Sequence, residues 1–433
     1  MSREIPEQPD NHTNIGFFFL LLYTVALFIR PQEWSYTPDP FPVARIFLIL
    51  AFISHLMMQR PKIFGHQGWF LVGIFLLIPL SGIRNHDLGE AIYQAQNFFI
   101  YSILPFILFA SLAQTQKKQY WLFVVMAIAC SVMIHHGISQ KLSPIGEGWS
   151  GELLSQGTRI TFLGFFNDPN DLGMFFLMNI PIVFYLRSVT QSGLLKFAYI
   201  ALTIGLIAGI FLTNSRGSLV GLLSLLLAYY YFKYGKVKTI GVSVVLLPAV
   251  IFVMSKFRTI DSKEASADGR IQAWYEGVQM FKYRPLFGIG KGGFVEAHGL
   301  TAHNSYVLIW AELGLIGYTL WFMTIALTLF MLIKIFNLSK EKYQNKPDIL
   351  NDIFLAKCLF FSFLGFLTTA FFLSRSYVVF LYVFLGISLA VYIRVKKQVP
   401  EIAEIEIKPL LPRIAGLGLL SLIGLYLIIV ILL

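Results

Sequence analysis

The chain has 433 residues, 56% of them hydrophobic, 16% aromatic and only 13% charged. A soluble globular protein carries about 25% charged residues, and the mean hydropathy here is +0.69. This composition excludes a disordered chain, a disulfide-built module and almost any water-soluble enzyme. It points to an all-α integral membrane protein that crosses the bilayer many times. The net charge of +11 reflects topology, because Lys and Arg cluster in short loops between apolar runs. Cys130 and Cys358 both sit inside apolar runs, with no disulfide or zinc spacing.

A membrane helix needs roughly 20 mostly apolar residues, which gives about 12 or 13 transmembrane helices. They fall near 15–29, 43–58, 68–83, 98–113, 119–134, 171–187, 195–213, 217–233, 238–254, 308–336, 350–372, 377–394 and 412–433. The first lacks a small-residue cleavage site and runs into Arg30-Pro31-Gln32-Glu33-Trp34, so it reads as a span rather than a signal peptide. With the N-terminus in the cytoplasm, the inside loops hold Lys117 and Lys118, Arg187 and Lys196, Lys233 to Lys238, Lys334 to Lys346, and Arg394 to Lys397. The positive-inside rule therefore fixes that orientation. The chain divides into an N-terminal membrane region (1–166), a core with a long outer loop at 255–307 (167–395), and a linker with a last span (396–433). Within that linker, residues 399–408 alternate apolar and acidic side chains, a short strand or an inside linker.

Two outer segments are long, His135 to Asn170 and Ser255 to Tyr306. His135 and His136 open the first, but no ligand spacing supports a metal site there. Phe166-Asn167-Asp168-Pro169-Asn170-Asp171 closes it, with a turn at Asp168-Pro169 and a helix cap from Asn170 or Asp171. Next, Asn214-Ser215-Arg216-Gly217 breaks two spans at the outer edge. An Arg there is costly unless paired, and its planar fork suits a diphosphate.

The second outer segment carries Lys256, Arg258, Lys263, Arg270, Lys282, Arg284 and Lys291 against the usual topological bias. That charge either meets an anionic substrate or is balanced by Asp261, Glu264, Asp268, Glu276 and Glu296. Ile271, Trp274, Tyr275, Val278 and Phe281 recur at helical spacing, with Asp268 as cap and Pro285 as terminator. Such a helix suits the membrane interface. Gly288, Gly290, Gly292 and Gly293 then form a turn whose amides can bind phosphate, although the spacing is not that of a Walker loop. Finally Ala302-His303-Asn304-Ser305-Tyr306 precedes the span carrying Glu312. A neutral His303 at the outer boundary can take a proton from an attacking hydroxyl.

These blocks, in this order on a polytopic chain, resemble the O-antigen ligase and polymerase superfamily. The resemblance runs from Asn167 to Gly317 and is architectural elsewhere. It implies a C-type membrane glycosyltransferase fold and transfer of a glycan from undecaprenyl diphosphate to an acceptor hydroxyl, on the periplasmic face of the inner membrane. It implies no metal or cofactor. On matching positions Arg216 and Arg270 clamp the diphosphate and His303 is the general base. Asn304, Glu312, Asn167, Asp168, Asn170 and Asp171 are supporting candidates. Lipid A-core is the acceptor of the ligase reading. The rivals are a polysaccharide polymerase, a protein O-oligosaccharyltransferase and a lipid-linked glycan transporter. The transporter is disfavoured because the key charges crowd towards one face. A thirteenth span departs from the twelve expected of ligases.

Overall fold

The computed structural model describes residues 11–34, 42–58, 62–84, 88–257 and 267–432. Fifteen helices organise them. They are α1 Asn11–Phe28, α2 Val43–Met57, α3 Gly65–Arg84, α4 Leu88–Leu112, α5 Gln116–Leu142, α6 Pro169–Val189, α7 Gly193–Leu212, α8 Arg216–Tyr234, α9 Lys236–Phe257, α10 Ala267–Tyr283, α11 Gly293–His298, α12 Ser305–Phe336, α13 Pro347–Ala370, α14 Val379–Gln398 and α15 Leu411–Leu432. Each of the thirteen expected spans coincides with a helix; α10 and α11 belong to the outer loop. Among the described residues, nine helices are long and apolar enough to cross a membrane, and α1 and α2 are shorter apolar helices. In a bilayer every backbone amide must be satisfied within the segment, so apolar runs of this length become helices.

The centre of the bundle is built from α14, 83% buried over its apolar window, α6, 78% buried, and α13 between them. Helices α7 and α15 are only 22% buried and leave Phe197, Ile204 and Leu420 exposed, as lipid-facing helices do. The ends of α13 and α14 carry two polar clusters at opposite ends of the molecule. At one end Arg394 donates from Nε and Nη2 to Asp352 at 2.9 and 2.5 Å, and to the Gln114 carbonyl at 2.6 Å and Gln119 Oε1 at 2.9 Å. At the other lies the Arg375 cluster described below. The stretch of α13 from Asp352 to Ala370 separates them by about 27 Å.

One helix is broken deliberately. Within α12, Gly314 has φ 64° and ψ −163°. The Pro285–Gly293 turn fills the break. Ile289 and Gly290 amides donate to the Ala311 and Glu312 carbonyls at 3.0 and 2.9 Å, while Leu315 and Ile316 amides donate back to Pro285 and Leu286 at 2.7 and 3.3 Å. A Cβ at Gly288 would lie 2.2 Å from the Glu312 carbonyl oxygen, and one at Gly314 2.5 Å from the Leu286 backbone. Only glycine fits where two backbones meet this closely.

Several expectations change. The turn's amides are spent on α12 and on the Glu312 carboxylate, which accepts from Gly292 N at 2.9 Å, so the turn is a backbone clasp and not a phosphate cradle. Helix α5 runs on to Leu142, so His135 and His136 lie inside it and the outer segment starts later. The ring nitrogens of His136 are occupied by the Thr161 carbonyl at 2.9 Å and Ser150 Oγ at 2.7 Å. Helix α4 begins ten residues earlier than hydropathy placed it, at Leu88, because its first turns are amphipathic. Helix α10 packs on α12 and α15, with Phe281 against Trp310 at 5.8 Å between ring centroids, and places Trp274 against Phe371, at the end of α13, at 5.4 Å. Residues 399–408 form one helical turn and a 3-10 turn, not a strand. Arg258, Asp261, Lys263 and Glu264, and the side chains of Lys256 and Asp268, lie outside the described residues.

Candidate functional site

The site forms where α6, α8 and α12 begin and α13 ends. Each of the three starts is capped by a polar side chain. Asp168 Oδ1 accepts from Asn170 N at 2.9 Å, with Pro169 at the first helical position, where its missing N–H costs nothing. Ser215 Oγ accepts from Ser218 N at 3.3 Å. Asn304 Oδ1 accepts from Tyr306 and Val307 amides at 2.9 and 3.2 Å. The cap of α12 forces the preceding residue out of line. His303 sits in the left-handed region, with φ 51°, a conformation that costs a non-glycine residue on the order of 1–3 kcal/mol. The turn thereby aims the imidazole into a cavity instead of along the helix.

That cavity, of about 280 Å³, is lined by His303, Arg270, Asn167, Asp168, Asn170 and Arg375, with Ser155, Thr301 and Ser374 completing the wall. His303 is half-buried. Burial pushes its pKa below the ordinary histidine value. The Arg270 charge lowers it further, Asp168 opposes the shift, and Arg375 and His298 add to it. The imidazole is therefore neutral at pH 7 and has proton-accepting capacity. Arg270, on the second turn of α10, supplies positive charge to the same space.

Arg375 was not singled out by the sequence reading. It lies in the Leu373-Ser374-Arg375-Ser376-Tyr377 break between α13 and α14. Its Nε donates to Asp171 Oδ1 at 2.5 Å and its Nη2 to Asp168 Oδ2 at 3.0 Å. Its backbone amide donates to Ser305 Oγ at 2.7 Å, Ser305 Oγ donates to the Leu373 carbonyl at 2.5 Å, and Ser376 Oγ donates to the Ser305 carbonyl at 2.7 Å. The break is thus locked to the residue two places after His303. The signal for Arg375 was present: an Arg between two apolar runs, the same criterion that selected Arg216.

Arg216 is not among the residues lining the cavity; it opens α8 beside it. A Cβ on its neighbour Gly217 would lie 3.1 Å from Phe372, which precedes Leu373 in the cavity wall. Arg159, also unselected, is 2% exposed and joins the same region, donating to the Thr213 carbonyl at 2.9 Å and to Asn170 Oδ1 at 2.8 Å. Asp171 is buried behind Arg375 and lines a neighbouring cavity instead. Asn304 is a buried cap. Glu312 is buried in the clasp, away from the His303 cavity. Lys291, beside it, donates to Gln94 Oε1 and stacks over Tyr377 at 4.9 Å. Burial pushes the Lys291 pKa down, against Glu312 and Glu90. Among the described residues, no group of three or more His, Cys, Asp or Glu side chains is arranged to hold a metal ion.

A separate apolar groove of about 490 Å³ is lined by Val220, Tyr306, Tyr318, Leu367, Phe371 and Leu425 among others. Its lining residues Tyr306 and Phe372 are close in the chain to His303 and Leu373 of the polar cavity.

Set against known families, residues 201–322 match the family model described as O-antigen ligase. The match contains Arg216, Arg270, His303 and Glu312, and stops short of Arg375. No curated protein matches the chain.

Proposed function

Because residues 201–322 match the O-antigen ligase family model, we propose that the protein is a ligase-type glycosyltransferase. It moves a glycan from undecaprenyl diphosphate to a hydroxyl of lipid A-core, at the periplasmic face of the inner membrane. The observation that carries the reading is the cavity that His303 shares with Arg270 inside an all-helical membrane bundle. A neutral imidazole beside a fixed guanidinium is the pair this transfer needs.

His303 takes the proton of the acceptor hydroxyl as its oxygen bonds to the anomeric carbon. The bond from that carbon to the diphosphate oxygen breaks in the same displacement, which inverts the anomeric centre. Arg270, with Arg216 at the adjacent helix start, stabilises the charge that grows on the departing diphosphate. The polyprenyl chain lies in the apolar groove lined by Tyr306 and Phe372. The Lys and Arg cluster in loops at the opposite end of the bundle supports a site facing away from the cytoplasm.

The test is a lipopolysaccharide gel from a deletion strain rescued with wild type or His303→Ala. Bare lipid A-core in the deletion and the variant, with a ladder only on wild-type rescue, supports the ligase. Core bearing a single repeat unit makes the protein a polymerase, and an unchanged ladder rejects both.

A further inference from the structure

The Arg375 cluster has a second face. Behind it lies another cavity, of about 480 Å³, lined by Gly164, Phe165, Asp171, Tyr377 and Val378, and sharing Asp168, Ser374 and Arg375 with the His303 cavity. The two spaces are thus neighbours across one ion-paired wall. The shared Arg375 and Asp168 side chains are 26% and 36% exposed, so their polar atoms are within reach of a ligand. Ser374 Oγ is buried in that wall with no hydrogen-bond partner in the protein.

The charge of the wall decides what it can hold. Arg375 faces two carboxylates, Asp168 at 3.0 Å and Asp171 at 2.5 Å. A second guanidinium, Arg30, lies over the Phe165 ring at 5.8 Å but is paired with Glu33 at 2.5 Å, so the wall carries no positive surplus and this cavity is a poor phosphate site. Carboxylates accept from hydroxyls and the guanidinium donates to them. Phe165, half-buried in the same wall with Arg30 over one side of its ring and Phe166 packed against it, adds an apolar surface to the cavity. An apolar face with a rim of paired donors and acceptors fits a sugar ring, which has a C–H face and a hydroxyl edge. An in-line displacement also places the nucleophile and the leaving diphosphate on opposite sides of the anomeric carbon.

We propose that this second cavity is a saccharide subsite for the acceptor, with a sugar ring against Phe165 and its hydroxyls on Asp168 and Arg375. It holds the acceptor so that one hydroxyl crosses the shared wall to His303. This rests on the glycosyltransferase reading and adds the residues that recognise the acceptor.

The experiment uses full-length protein in lipid nanodiscs and saturation-transfer NMR with delipidated lipid A-core oligosaccharide as probe. Wild type is expected to give saturation on the sugar protons. Phe165→Ala and Asp168→Asn are expected to weaken oligosaccharide binding by about tenfold, the loss of one good contact. Arg270→Gln should leave it within about twofold, a change of roughly 0.4 kcal/mol. Retained undecaprenyl diphosphate binding by Phe165→Ala shows that the variant is folded. In transfer assays the same two variants should raise the acceptor KM about tenfold and leave the donor KM unchanged. No saturation in wild type, equal saturation in Phe165→Ala, or a rise in donor KM alone would overturn the subsite. Phe165-dependent binding by a protein that restores no ladder would reject the ligase reading and leave the subsite standing.

Discussion

At the residue scale the decisive feature is that His303 is held neutral by its surroundings. Burial first, and Arg270 second, depress its pKa below the usual histidine value, while Asp168 pulls the other way. A depressed pKa keeps the base unprotonated at pH values where an ordinary histidine begins to protonate, so transfer should fall only when pH drops through that lowered value. Two variants should move the acid limb in opposite directions. Arg270→Gln removes a repelling charge and shifts the limb to higher pH. Asp168→Asn removes an attracting charge and shifts it to lower pH. Initial-rate profiles of kcat/KM from pH 5 to 8 read both shifts; a common direction would reject the assigned neighbours. His303→Ala should lower transfer by about 10²–10⁴-fold at every pH, the usual contribution of a general base. Arg216→Ala should lower kcat by about 10²–10³-fold if it acts on the developing diphosphate charge. An effect on KM alone would place it in ground-state binding.

At the scale of elements, the clasp between the Pro285–Gly293 turn and the break in α12 makes the outer loop part of the bundle. The exchange of four backbone bonds ties the loop to α12 two turns after the helix start that the Asn304 cap sets. Gly314→Ala should destabilise by at least about 2 kcal/mol, because a Cβ at positive φ would meet the Leu286 backbone. Gly299 offers the contrast. It also has positive φ, 79°, but nothing lies within 4 Å of its Cβ position. Gly299→Ala should cost only the backbone strain, about 1 kcal/mol. Thermal unfolding followed by tryptophan fluorescence in detergent compares the two. Equal losses would show that strain, and not the close approach, explains the clasp.

Much at this scale was legible in advance. Thirteen apolar runs became thirteen helices and Pro285 ends the loop helix region, whereas the Asn304 cap of α12 emerged only in the structure. The glycines of 288–293 were legible as a tight turn but not as a clasp, since the bonding partner lies twenty residues further on. His136 was legible as a histidine near a predicted loop. Its enclosure by Thr161 and Ser150 depends on how that loop folds back.

At the scale of the whole molecule, α13 and α14 tie the two ends together. The end opposite the site is held by Arg394 and Asp352, whose side chains are 12% and 2% exposed. Asp352→Ala would leave the Arg394 charge buried and lacking its carboxylate, and should cost about 3–5 kcal/mol. The double replacement Asp352→Leu with Arg394→Met removes both charges, and should recover most of that loss. Unfolding midpoints of wild type, single and double variants measure this. A double variant no better than the single would show that the Gln114 and Gln119 bonds carry the stability.

The sequence by itself determined the class of molecule and the place and order of its apolar helices, because lipid requires each apolar segment to satisfy its own backbone. It also supplied His303, Arg270 and Asp168, whose chemistry stands out against an apolar background. Only the tertiary structure decided which of them meet. Arg216 lies beside the cavity and Glu312 belongs to the clasp. Asp168 and Asp171, 207 and 204 residues from Arg375 in the chain, hold that arginine over both cavities. Such contacts depend on which helix ends pack together, and pairing across that distance leaves no mark in local composition or period.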